Sequence, residues 1–416
     1  MRALLFLVLA SCTHDLAVFD RVDVPAARDL DLLFVLDTST DHGAYAQMAS
    51  QLDVLQARLA DVDGQLPNLH VGVTTADLGT RGTLDTIPGP PVGNCAGTGN
   101  AGKLVTFKAA VAGRFLEDLR GPDGTRLRNF SSDDLALELG RLTNPELLPA
   151  ATGCDFAQHL EAMRLALDPA TNPGFVRPGA MLSVVFLGTK DDCSVAHSAM
   201  LDPSDASLGL PSSFRCTEQG VICDPDDPRR PGVKTNCRPR DGSPFMVDVS
   251  EYRTFLSHVK PDPGDVIVSA VGGPRTRFEV LDLGFPALAP SCQGPGGNAK
   301  PAVRLGALVD SFGGALVDGC SQDAAYQQIT APILARQRAC VPDLRQADGD
   351  SCTVVELTGG AASELARCGN GGASPCWYSY ADAAACPGGD HLAVAVRRGH
   401  TTAPAGSHIE ATCFVN

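Results

Sequence analysis

The sequence predicts an α/β chain: a doubly wound, mostly parallel sheet followed by a small disulfide-braced β-rich domain. Three observations carry this prediction. Apolar strand-like runs alternate with amphipathic helical stripes through most of the chain. The runs "LLFVL" (32–36) and "AMLSVVFL" (180–187) are almost uninterrupted, as strands covered on both faces are. From Cys340 onward the texture changes to six cysteines in 77 residues, many glycines and short strand-like runs without helical period.

Taken in order, the chain opens with "MRALLFLVLASC", one arginine and an apolar run from Ala3 to Ala10. This is the pattern of a secretory signal, too short to span a bilayer. Leu9-Ala10-Ser11-Cys12 resembles the lipobox of bacterial lipoproteins. The resemblance implies a signal peptide of residues 1–11 and a diacylated Cys12 as the membrane attachment; a plain signal peptide or a misplaced start are the other readings. Residues 12–28 then read as a tether. Thr13 rather than aspartate follows the cysteine, and by analogy with Gram-negative sorting this implies an extracytoplasmic, lipid-anchored protein of the outer membrane. The fourteen cysteines from Cys95 to Cys413 are an even number and allow up to seven disulfides in an oxidising compartment. Zinc would want paired CxxC knuckles, and none occurs.

The first domain spans 29–339. A strand at 31–37 precedes a helix over 45–59, with Met48, Leu52, Leu55 and Leu59 on one stripe. "LHVGVTTAD" predicts a strand over 69–75, and a Gly/Pro-rich stretch over 79–102 opens a cysteine-bearing insertion of about 79–150. A helix starting near Cys154 carries Phe156, Leu160, Met163 and Leu167, and leads to the strand at 180–187. A second cysteine-bearing insertion covers 193–248. The alternation resumes with a helix over 249–259, the strand "DVIVSAVGG", and helices over 302–312 and 324–338. In such sheets ligands sit beyond the carboxyl ends of the strands, where the strand order reverses. The polar clusters 37–41 and 189–194 both follow apolar strands directly. Residues 340–416 form the cysteine-rich β domain.

"DLLFVLDTSTD", "HVGVTTAD" and "SVVFLGTKDDC", together with "GCDFAQHLEAMRLAL" and "PAVRLGALVDSFGG", resemble the von Willebrand factor type A fold over about residues 28–335. More closely, they look like bacterial lipoproteins that join such a Rossmann-like domain to a cysteine-rich tail, which "PCWYSY" and "CPGGDHLAVAV" also fit. The resemblance implies a metal-ion-dependent adhesion site, in which an Asp-x-Ser-x-Ser loop, a threonine and a later aspartate hold a divalent cation. Carried over, Asp37 and Ser39 match, Asp41 replaces the second serine, Asp155 or Thr152 stands for the threonine, and Asp191 follows the later strand after Gly188-Thr189. One divalent cation, Ca²⁺ or Mg²⁺, is the expected cofactor, with Ca²⁺ suiting three carboxylates better. The competing reading is a helix cap: Thr38, Ser39 or Thr40 caps the next helix, Asp41 favours its positive end, and Asp191 and Asp192 are solvated loop residues.

The formal charge is −15, from 33 basic and 48 acidic side chains, and no basic run exceeds two residues, which argues against nucleic acid. "GTGNAGKL" (97–104) nearly matches a phosphate loop but lacks the strand before it and the Ser or Thr after Lys103, so no nucleotide is expected. HExxH and GxSxG are absent. Trp377, Tyr378 and Tyr380 crowd the tail, either as a ligand platform or as core filling. The expectation is a non-enzymatic adhesion or binding module that takes a protein or glycan ligand at the carboxyl-end loops. Its alternative is a metal-free structural lipoprotein of an envelope complex.

Overall fold

The computed structural model describes residues 18–24, 29–39, 48, 50–60, 66–105, 111–121, 125–132, 134–143, 153–341, 352–369, 374–381, 386, 391–399, 401, 403–404 and 407–415. Mixed α/β structure occupies the first three quarters, and a β-rich region ends the chain. The main sheet has seven strands: β1 (Leu30–Leu36), β2 (Leu69–Thr75), β3 (Leu116–Arg120), β4 (Arg126–Arg128), β5 (Met181–Leu187), β6 (Val266–Gly272) and β7 (Leu316–Asp318). Their order is β7-β6-β5-β1-β2-β3-β4, parallel from β7 to β2 and antiparallel at β3 and β4.

Every residue of β1, β2, β5 and β6 is buried. The reason is that alternate side chains enter two different apolar clusters. Leu32, Phe34 and Leu36 meet helices α1 (Leu52–Leu59), α2 (Leu135–Leu142) and α7 (Ala325–Arg336). Leu33 and Val35 meet α3 (His159–Ala166), α5 (Val249–Leu256) and α6 (Val303–Phe312). Each fully buried Leu, Val or Phe contributes about 1.5–3 kcal/mol of transfer free energy, so this double-sided layer dominates cohesion. The predicted stripes are the buried ones, including Met48, Leu52, Leu55 and Leu59, and Phe156, Leu160, Met163 and Leu167.

Both insertions contain strands that apolar periodicity does not announce, and the first also holds a helix that carries the period in Leu135, Leu139 and Leu142. The first supplies β3, β4 and α2, in which buried Asp118 accepts from Arg126 at 2.7 Å, so the edge reads as charged rather than apolar. The second contains α4 (Phe214–Gly220) and two strands, Val221–Asp224 and Gly232–Pro239, which join Phe278–Asp282 and Pro286–Leu288 in a small antiparallel sheet. All fourteen described cysteines pair: 95–154, 193–216, 223–237, 292–320, 340–386, 352–413 and 368–376. No bridge joins a residue before 321 to one after 339. The tail buries Trp377 among Val354, Ile409 and Val394, so that ring fills a core.

Val18–Val24 departs from the expected tether. It is a strand paired antiparallel with His408–Val415, in register from Val18↔Val415 to Val24↔Ile409. Its partner lies at the other end of the chain, and no local pattern specifies a contact of that sequence separation.

Beneath the amino end of β1, Asp31 is fully buried and accepts from Arg177 Nε at 2.8 Å and Lys260 Nζ at 2.9 Å. Arg177 also donates to Leu30 O and Asn68 O, tying the segment before β5 to β1 and β2. Asp31→Ala leaves fully buried Lys260 and partly buried Arg177 short of a counter-charge and should cost about 3–5 kcal/mol in urea denaturation. Neighbouring Asp29 is pushed up to about 6 by burial, which outweighs the lowering charge of Arg177. The folded state therefore holds this proton more tightly than the unfolded chain. Its contribution to stability is present below about pH 4 and lost as pH rises through 6. Asp29→Asn should raise the urea midpoint at pH 7.5 while leaving the midpoint near pH 4 little changed.

Candidate functional site

In the sheet, β1 has β2 on one side and β5 on the other, so the connections from its carboxyl end and from β5 leave in opposite directions and open a crevice. Asp37 stands there, wholly buried, with its amide donating to Leu187 O at 2.8 Å. Its Oδ1 accepts from the Ser39 amide at 2.9 Å and from the Ser39 hydroxyl. Ser39 thus turns inward onto Asp37. The described helix α1 starts at Leu52, preceded by Gln51 without a side-chain cap, and the turn that Ser39 would cap, within 40–47, lies outside the described residues. Thr40 and Asp41 lie outside the described residues, as do Thr152 and Cys12.

Gly188, just past β5, must be glycine for this convergence. A Cβ there would lie 2.7 Å from the Asp37 Cβ and 3.1 Å from His159 Nε2. His159, the first residue of α3, is fully buried, and neither ring nitrogen has a hydrogen-bond partner among the described residues. Its ring meets Phe186 edge-on at 6.1 Å. Sequence reasoning passes over this imidazole because a lone histidine in an amphipathic stripe carries no signal.

Asp155 and Ser39 meet on a side chain the sequence reading ignored. Lys190 Nζ donates to Ser39 Oγ at 3.0 Å and to Asp155 Oδ1. Asp155 also accepts from the Ser213 amide at 3.2 Å. Burial pushes the Asp155 carboxyl up, but the Lys190 ammonium and the Ser213 donors outweigh it and hold it below the usual range. Lys300 lies close enough for the Lys190 charge to add to burial in lowering its own ammonium, against the pull of Asp155.

Asp191 and Asp192 are not solvated. Asp191 accepts from the amides of Val303 (2.9 Å), Arg304 (2.9 Å) and Leu305 (3.0 Å), capping α6 from another segment. Burial pushes its carboxyl up, and those amides pull against it. Asp192, 1% exposed, accepts from the Leu160 amide at 2.9 Å, while Ser194 Oγ accepts from the Glu161 amide at 2.9 Å, so together they cap α3. Asp192 also pairs with Arg304 Nε at 3.1 Å, both side chains fully buried.

Of the expected ligands Asp37, Ser39, Asp41, Asp155 and Asp191, the fold brings Asp37, Ser39 and Asp155 together and turns Asp191 away onto α6. Among the described side chains Ser39, Asp155 and Asp191 are already engaged, and Asp41 lies outside the described residues. Lys190 already contacts Ser39 and Asp155, and Asp191's oxygens are taken by helix amides. Acidic and sulfur groups that cluster in threes lie elsewhere among the described residues: Cys292, Asp318 and Cys320, whose cysteines form a disulfide, and Asp23, His408 and Glu410 on the tail sheet. Beside Lys190 opens a cavity of about 170 Å³, walled by Asp155, Lys190, Ser213 and Lys300, with Phe285 also lining it. Phe285 is 42% exposed, next to Leu283 at 60%.

Two substitutions separate the roles of the adjacent aspartates. Asp192→Ala strands the buried Arg304 guanidinium and should cost about 3–5 kcal/mol. Asp191→Ala removes only caps and should cost about 1–2 kcal/mol. Guanidinium denaturation of the two variants side by side reads the difference.

No family model and no curated protein matches the chain. Among solved structures, the human COPII-coat protein Sec24c is similar at 9% identity and a TM-score of 0.33, over 93% of this chain and 43% of that one. The chain thus spans less than half the length of that structure, and so loose a likeness carries no argument about function.

Proposed function

We propose that the chain is an extracytoplasmic binding module of von Willebrand factor A type, doubly wound, anchored through a lipidated Cys12 and taking a protein ligand in the cleft at the carboxyl ends of β1 and β5. The observation that carries this reading is the cleft itself. Lys190 and Lys300 line it together with Asp155, Asp191 and Asp192, the last two already engaged by helix amides and Arg304, and the hairpin tip beside it exposes Leu283 and Phe285. That mixture of a partly dry wall and charged anchors is what a protein surface with an acidic group and an apolar neighbour would match. It favours a protein over a glycan, because a single phenylalanine offers little stacking surface.

Support for the family comes from the strand order, with the first strand central and an antiparallel edge beyond the second, and from Asp37 and Ser39 at the expected loop. Seven disulfides agree with an extracytoplasmic location. No described helix is long and apolar enough to cross a membrane; in this reading the attachment is a lipid at Cys12 and the placement the outer membrane. The module performs no chemistry. A second reading, a metal-free assembly lipoprotein that sits constitutively in an envelope complex, is favoured by the Lys190 contacts with Ser39 and Asp155.

Photo-crosslinking amino acids placed at Phe285 and, as a control, at exposed Leu127 on the far edge strand test the reading in whole cells. A single protein adduct at 285, absent at 127 and lost with Lys300→Met, is expected. Adducts at 127 alone, or equally at both positions, refute the assigned face.

A further inference from the structure

We infer that Lys190 is the resident cation of this site: its ammonium stands where a divalent ion would join Ser39 and Asp155 beside Asp37, and it renders the module independent of metal. The inference rests on reading Asp37, Ser39 and Asp155 as one cation site. It requires no particular ligand, so it stands or falls separately from the binding role.

The argument starts from charge. Asp37 is fully buried at the end of β1 and accepts from the Ser39 hydroxyl, and Asp155, on the loop before α3, is linked to that same hydroxyl through Lys190. Carboxylates joined through so short a chain repel each other unless a cation lies among them. The fold places one covalently. Lys190 is the third residue past β5, and its Nζ reaches Ser39 Oγ at 3.0 Å and Asp155 Oδ1, while the same Ser39 hydroxyl donates to Asp37 Oδ1. The sequence Asp37, Ser39, Lys190, Asp155 is therefore one continuous hydrogen-bonded chain in which the ammonium supplies the positive charge. An ammonium with three donors meets such oxygen acceptors without the six to eight ligands that Ca²⁺ takes or the octahedron that Mg²⁺ demands.

The neighbouring aspartates fit the same arrangement. The loop Thr189–Asp192 carries its carboxylates outward to the amino ends of α6 and α3, where Asp191 meets three amides and Asp192 meets Arg304. Neither is left to complete an ion's coordination, and Lys190 is the side chain of that loop directed at Ser39. A tethered cation also has no dissociation constant. Occupancy of the site then does not vary with the divalent-ion concentration outside the cell.

The test compares thermal unfolding of the wild-type chain and Lys190→Met, in chelator and then in millimolar Mg²⁺, Ca²⁺ and Mn²⁺. Wild type should unfold at the same temperature in all four conditions. Lys190→Met should unfold about 2–4 °C lower in chelator and recover in at least one cation, since an ion that binds only the native state stabilises it. Adding Asp37→Asn to Lys190→Met should abolish that recovery. Should the methionine variant fail to fold, Lys190→Gln, one atom shorter and uncharged but still a donor, is read in the same way. A cation-dependent rise in the wild type overturns the inference, and so does a Lys190 variant that is undiminished in chelator or that no cation restores.

Discussion

The loop Asp191-Asp192-Cys193-Ser194 holds the carboxyl end of the sheet together. A helix leaves its first amides without internal partners, and their aligned dipoles concentrate partial positive charge there. Two helices, α3 and α6, point such ends at the same place. The loop answers both: Asp191 takes three amides of α6, and Asp192 with Ser194 takes two of α3. Arg304, buried in the first turn of α6, closes the unit by pairing with Asp192 and donating to Val247 O at 2.7 Å. The Cys193–Cys216 bridge then fixes the inserted segment to this junction.

That structural duty governs what the site can do. A carboxylate committed to helix amides is unavailable to an ion, and the net charge of the remaining cluster is set by Lys190 and Lys300 against Asp37 and Asp155. The cleft thereby presents anchored ammonium groups beside an apolar hairpin tip. Recognition at such a surface depends on shape and charge match to a partner, and the anchors are held in place by neighbours rather than by solvent.

At the opposite end of β1 a second buried ionic group, Asp31 with Arg177 and Lys260, binds the strand starts together, and the tail domain closes over this end. Asn68, which donates to Asp29 at 3.1 Å, also donates to Gly399 O at 3.1 Å. The sheet is thus clamped at both ends by charge and sealed on both faces by apolar side chains. Each kind of contact does what the other cannot: the apolar layers supply most of the free energy, and the paired charges specify register and which segments meet.

By itself the sequence determined the elements whose physics is local. Apolar runs announced β1, β5 and β6, apolar stripes announced α1 and α3, the strand–helix alternation announced α5, α6 and α7, and an even set of fourteen cysteines allowed full pairing. It also brought Asp37 and Ser39 to notice. Tertiary structure alone decided the rest. β3 and β4 are stabilised by partners such as Asp118 with Arg126, which leave no apolar period, whereas α2 does carry one in Leu135, Leu139 and Leu142. Val18–Val24 reads as a tether until His408–Val415 arrives beside it. Asp191 and Asp192 read as solvated because nothing near them in the chain reveals two helix ends, one of them more than a hundred residues later. Lys190 carries no signal in the sequence, and its role follows from two oxygens contributed by segments 35 and 151 residues away. Periodicity records which face of an element is buried; which charge meets which is settled only when distant segments share one small, poorly solvated volume.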